Sequence, residues 1–140
     1  MGNGLRAFDS TVQTTHVWLN ELRGLLGWEE PHRAYLALRA VLHALRDRLS
    51  VDEAAALGAQ LPMLVRGFYY EGWHPHGKPV KERHKEEFLP HVAEAFGDEP
   101  PAEVERVTRA VFRVLAQHIS AGEIDSVQKC LPVELRSLWP

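Results

Sequence analysis

Cysteine is almost missing from the sequence. Cys130 is alone among 140 residues, so neither an internal disulfide nor a thiolate metal cage can form. No apolar run approaches the roughly 18 residues needed to cross a membrane, and the N-terminus lacks a signal-peptide apolar region. The start Met1-Gly2-Asn3-Gly4-Leu5-Arg6 carries Arg where a myristoylation signal wants Ser or Thr. Positive charge is not in excess either. Sixteen Lys and Arg stand against 19 Asp and Glu for a net charge of -3, which disfavours nucleic-acid binding. No Walker loop, dinucleotide-binding glycine motif or nucleophile elbow occurs. No alternating β-branched stretch is long enough for a strand. What is present is ordinary for a soluble globule: 45% hydrophobic and 25% charged residues, with a mean hydropathy of -0.26. Residues 1–140 therefore read as one cytoplasmic domain without membrane contact.

The most informative feature is a repeat with a period of half the chain. Residues 17–70 placed over 87–140 without a gap pair 54 positions with 13 identities, among them Gly27/Gly97, Pro31/Pro101, Arg39/Arg109, Ser50/Ser120, Glu53/Glu123, Pro62/Pro132 and Arg66/Arg136. Unrelated sequences of average composition would match at roughly four. Duplication explains the excess. The repeats run over about 8–70 and 78–140, joined by a linker over about 71–78.

Each half reads as helical. Val12, Thr15, Leu19, Leu22 and Leu26 fall on one helical face, with Asp9 or Ser10 as N-cap and Gly27 just past the end. Pro31 suits the first turn of the next helix, whose apolar period continues to about Leu49. Ser50-Val51-Asp52-Glu53 is a capping box, repeated as Ser120-Ala121-Gly122-Glu123, which assigns Ser50, Glu53, Ser120 and Glu123 to structural capping. Pro62 and Pro132 should interrupt the helix after each box. Short helices over 63–70 and 133–139 follow them, and the second half opens with a helix over 79–96 followed by one over 101–119. The fold class is all-α: two tandem helical repeats, each about half of the chain, packed as one pseudo-two-fold bundle.

The stretches Leu38 to Leu49 and Leu61-Pro62-Met63-Leu64-Val65-Arg66-Gly67-Phe68-Tyr69-Tyr70-Glu71-Gly72-Trp73 resemble a bacterial family known as domain of unknown function twenty-two sixty-seven. The likeness covers nearly all of the chain after residue 8. It implies a small helical fold and carries no catalytic residues.

Four constellations bear on function. His74 and His76 lie in the linker, and His84, Glu87 and His91 share one face of the following helix, a donor set that suits a transition metal. Against it, the first half has Thr14, Val17 and Glu21 at the matching positions, and solvated histidines are the commoner reading. No cofactor is otherwise implied. Phe68, Tyr69, Tyr70 and Trp73 cluster beside the linker. Tyr70 and Trp73 have no apolar counterpart in the other half, which makes them the candidates for an exposed contact. The duplicated Arg39/Arg109 and Arg66/Arg136 suit helix-end carbonyls or carboxylates rather than catalysis, which seldom needs two copies. Lys78, Lys81, Arg83, His84 and Lys85 form a basic cluster countered by Glu82, Glu86 and Glu87. The reading favoured is a non-enzymatic protein-interaction or self-association module, its partner another protein or a second copy. The alternative is a metal- or small-ligand-binding protein using the His-rich linker or a cleft between the repeats.

Overall fold

Glycine and proline set the corners of the chain. The computed structural model describes residues 4–97 and 99–140, and every regular element among these residues is a helix. In order they are α1 (Arg6–Leu26), α2 (Pro31–Arg46), α3 (Val51–Gln60), α4 (Met63–Tyr70), α5 (Lys85–Phe96), α6 (Pro101–His118), α7 (Ala121–Lys129) and α8 (Val133–Arg136). α1 stops at Gly27, whose φ of 71° lies in the left-handed region that side chains resist. Pro31 and Pro101 open α2 and α6, where no helical donor is lost. Pro62 and Pro132 stand at the N-caps of α4 and α8, and the chain turns before each.

Some boundaries differ from the sequence expectation. α1 begins at Arg6, ahead of Asp9 and Ser10, with Leu5 as an N-cap that offers no side-chain acceptor. Asp9 thus sits inside the first turn, where its charge complements the helix dipole. α2 ends at Arg46 rather than Leu49, because the N–H groups of Arg48 and Leu49 turn to the carbonyls of Leu45 and Arg46, three residues back, and tighten the last turn. α5 begins at Lys85 rather than Pro79. Val80 N–H donates to the Asp47 carbonyl at 2.8 Å, which draws the preceding segment onto the end of α2. The Glu87 carboxylate then accepts from the N–H groups of Arg83 and His84, both at 3.2 Å, and fixes the helix start. α8 stops at Arg136, yet Leu138 and Trp139 beyond it are buried. Trp139 stacks on Phe112 with ring centres 4.1 Å apart.

The core is centred on α2 and α6. Ala34, Ala37, Leu38, Val41, Leu42 and Leu45 are buried on one helix, and Val104, Val107, Val111, Phe112 and Leu115 on the other. Each Leu or Phe fully removed from water contributes about 1.5–3 kcal/mol. α1 packs on α2 and α6, α5 packs on α2 and α6, and α3 packs against α7.

α2 also fixes α4 through polar groups. Arg46 is 4% exposed; its Nη1 donates to the carbonyls of Tyr69 (2.7 Å) and Glu71 (3.0 Å). His43 Nε2 lies 2.6 Å from the Phe68 carbonyl, and burial holds its pKa below the usual imidazole value. The last-turn carbonyls of α4 are thereby satisfied by side chains, as buried helix ends require. Tyr69 completes the anchor: its buried hydroxyl donates to the Ala54 carbonyl at 2.6 Å. Held at this end, α4 presents its first turn beside α1.

Candidate functional site

Between α1 and α4 lies a largely apolar groove of about 680 Å³, with Phe8, Val12, Leu19, Met63, Leu64 and Phe68 among its walls. Thr11 Oγ1 accepts from Leu64 N–H at 2.9 Å and so caps α4, whose own N-cap, Pro62, has no side-chain acceptor. That bond sets the spacing of the two helices. Nine large apolar side chains stay exposed among the described residues, and four of them gather here: Phe8, Val12, Met63 and Leu64. Phe8 is 56% exposed and Val12 43%. Scattered exposed apolar residues need no explanation, but a contiguous set does. His16 and Glu71 supply a polar rim, with Arg39 pairing Glu71 at 2.9 Å.

The groove uses the first turns of α1. α5 begins at Lys85, which matches Thr15 at the half-chain offset, so residues 6–14 of α1 have no helical counterpart. They extend the helix beyond the core while keeping its apolar spacing. Leu5, Phe8 and Val12 fall 3 and 4 apart. The sequence reading set Val12 on one helical face with Leu19 and Leu22; the structure buries those two and leaves Val12 exposed at the groove. The apolar spacing of Leu5 and Phe8 ahead of Val12 was the signal that could have revealed the surface.

Tyr70 and Trp73 are half-buried and pack against the core. Tyr70 meets Tyr69 edge-on at 4.9 Å and Trp73 at 5.4 Å. A Cβ at Gly58 would collide with the Tyr70 hydroxyl, so this glycine is required for α3 and the end of α4 to meet. The pair lies away from the apolar groove, which instead uses Phe68 of the same cluster.

The histidines are dispersed. His74 and His76 are exposed in the linker. His91 Nε2 lies 3.3 Å from Glu82, and Glu87 accepts from backbone N–H groups at the start of α5. Among the described residues His84 alone of these enters a metal-competent group, with two residues that the sequence reading did not place beside it. Its Nδ1 is 2.8 Å from Glu134 on α8, and one ligand atom each from His84, Glu86 and Glu134 lie within 4.8 Å of one another. The Glu134 carboxylate raises the pKa of the exposed His84 ring.

The serines and glutamates at the starts of α3 and α7 divide their work. Ser50 Oγ accepts from Glu53 N–H at 3.1 Å, and Ser120 Oγ from Glu123 N–H at 3.2 Å. The glutamate half of each expected box is replaced. Ser120 N–H donates to Gln60 Oε1 (3.0 Å), while Gln60 Nε2 donates to Ser120 Oγ (3.1 Å). Ser50 N–H is directed at Cys130. The two carboxyls meet each other instead. Glu53 and Glu123 lie within hydrogen-bonding reach, and one oxygen of each is buried without a donor from any other residue. Burial first, and then Glu53, push Glu123 up to about 7. Two carboxylates this close are stable when one holds a proton. Local spacing could not reveal a contact between side chains half the chain apart, which exists because α3 and α7 pack together.

A model of a family described as uncharacterized conserved proteins matches residues 15–138. No curated protein matches the chain.

Proposed function

The chain belongs to the DUF2267 family, and from that premise we propose that it is a non-enzymatic self-association module whose docking face is the α1–α4 groove. The family supplies the fold and no activity. The observation that carries the reading is the contiguous apolar face formed by Phe8 and Val12 on the overhanging start of α1 with Met63 and Leu64 on α4. A second copy is the occupant that the charges favour. Arg6 and Asp9 border the apolar stripe, and neither has an ion-pair partner among the described residues. Antiparallel pairing of two α1 ends sets Leu5 toward Val12 of the second copy and turns each Arg6 toward the other Asp9. Such an isologous arrangement closes after two subunits.

Sedimentation velocity tests the proposal. The wild-type chain should form a dimer at rising concentration, and Phe8→Asp or Leu64→Asp should leave a folded monomer. A wild-type monomer at all concentrations, or a dimer indifferent to both substitutions, would refute it.

Within each subunit the same reading takes residues 1–140 as one domain, with halves over about 8–70 and 78–140 related by an approximate two-fold. Two observations support it. The starts of α2, α3 and α4 at Pro31, Val51 and Met63 recur at one constant offset in the second half, at Pro101, Ala121 and Val133. The packing is also reciprocal, α1 on α6 and α5 on α2.

A second reading, divalent-metal binding, is favoured by His84, Glu86 and Glu134 alone. Titration with Zn²⁺ should then give saturable heat that His84→Ala removes; unchanged heat in that variant would dismiss it.

A further inference from the structure

A second concavity has a different chemistry. It measures about 550 Å³ and lies where the extended segment before α5 crosses the α7–α8 turn. Arg48, Lys81, Arg83 and Arg136 line it, opposed by one acidic side chain, Glu82. That carboxylate is already engaged. It pairs with Arg48 and lies 3.3 Å from His91. Burial alone would push its pKa up, but Arg48 and His91 outweigh burial and hold it below the usual carboxylate value. Arg48 is 5% exposed; one of its nitrogens donates to the Ala44 carbonyl, and its buried Nε has no partner. The side chains of Lys81, Arg83 and Arg136 make no ion pair or hydrogen bond among the described residues. The wall therefore carries three uncommitted cations.

The first half supplies an internal comparison for Arg136. Arg66, its counterpart in that half, is fully occupied in holding the end of α3. Its Nε donates to the Gly58 carbonyl at 2.9 Å and its Nη2 to the Leu61 carbonyl at 2.8 Å. Arg136 makes none of these bonds at the end of α7, where the last turn is closed by Cys130 and Leu131 N–H bonds to the Val127 and Gln128 carbonyls. The same residue is structural in one half and unengaged in the other. Val80, Leu131 and Pro132 add an apolar wall beside the cations, and Cys130 opens onto the same space.

We propose that this pocket binds a phosphate group, free or on a small organic molecule, through Lys81, Arg83 and Arg136, with any apolar remainder seated against Val80, Leu131 and Pro132. Arginine and lysine around a concave site suit such dianions, Arg by paired donors and Lys as a point charge. The site is independent of the α1–α4 groove and stands or falls separately from self-association.

Cys130 is the reporter, since it is the only cysteine and an exposed residue that lines the pocket. Alkylation by the neutral reagent iodoacetamide is timed on the full chain with phenyl phosphate, inorganic phosphate, or potassium chloride at matched ionic strength. Saturable, several-fold slowing by phenyl phosphate alone assigns a phosphorylated small molecule. Slowing by both phosphates assigns phosphate itself. In either case Arg136→Gln and Arg83→Gln, both surface changes, should abolish the protection, each variant being compared with its own unliganded rate. No protection by either phosphate, equal protection by chloride, or full protection in both variants would overturn the site.

Discussion

Replacing Glu123 by Gln keeps the shape of the α3–α7 contact and removes one of two facing carboxyls. In the folded chain Glu123 titrates at about 7, well above its ordinary 4.5. Between those values the folded state binds more protons than the unfolded one, so stability must fall as pH rises. The contribution is fully present below pH 4.5 and lost above about pH 7. At about 1.4 kcal/mol per pH unit the whole interval corresponds to about 3 kcal/mol. Both side chains retain partial exposure, and solvent screening reduces this to about 1–2 kcal/mol. Tyr69 and Cys130 face the pair as well, but burial raises both of their pKa values, so neither ionises in this window. Urea denaturation across this interval should show wild-type stability declining relative to Glu123→Gln, with the variant the more stable at about pH 8. The difference between the two proteins isolates the pair from the histidines. Parallel pH profiles, or a variant less stable at alkaline pH, would refute the shared proton.

The two serine caps should not be equivalent. Ser50→Ala loses one acceptor and should cost about 1 kcal/mol, while Ser120→Ala also strands the Gln60 amide and should cost about 1.5–2 kcal/mol, both read by thermal melting. Equal losses would mean that the Gln60 contact contributes nothing. Tyr70→Ala and Trp73→Ala should each lower stability by about 1.5–3 kcal/mol, less than fully buried aromatics, and leave the sedimentation coefficient unchanged. Unaltered stability with lost association would transfer the interface to these residues.

How far the sequence reached depends on how local each cause is. Gly27, Pro31, Pro62, Pro101 and Pro132 act through their own backbone, and the helix boundaries they set were readable from spacing. The start of α5 was not. It depends on Val80 N–H reaching the Asp47 carbonyl, a bond between segments far apart in the chain. Ser50 and Ser120 cap within one turn and were legible. Glu53 and Glu123 satisfy the same four-residue pattern, yet packing of α3 against α7 turns their carboxyls toward each other. The interaction surface was the hardest to read. Val12 continues the period of Leu19 and Leu22, and nothing in that period tells that it stays exposed while they are buried. Tyr70 and Trp73, chosen for lacking repeat counterparts, pack where Gly58 leaves room.

Disulfide trapping across the proposed dimer bears most directly on the central claim. With Cys130 replaced by Ser, a cysteine is placed at Phe8 or, as control, at Val17. Both positions are exposed on α1, and at about 100° per residue their spacing puts them on opposite faces. Under mild oxidation Phe8→Cys should yield a covalent dimer rapidly, while Val17→Cys should stay monomeric. Equal cross-linking at the two positions, or none at Phe8, would contradict self-association through the α1–α4 face.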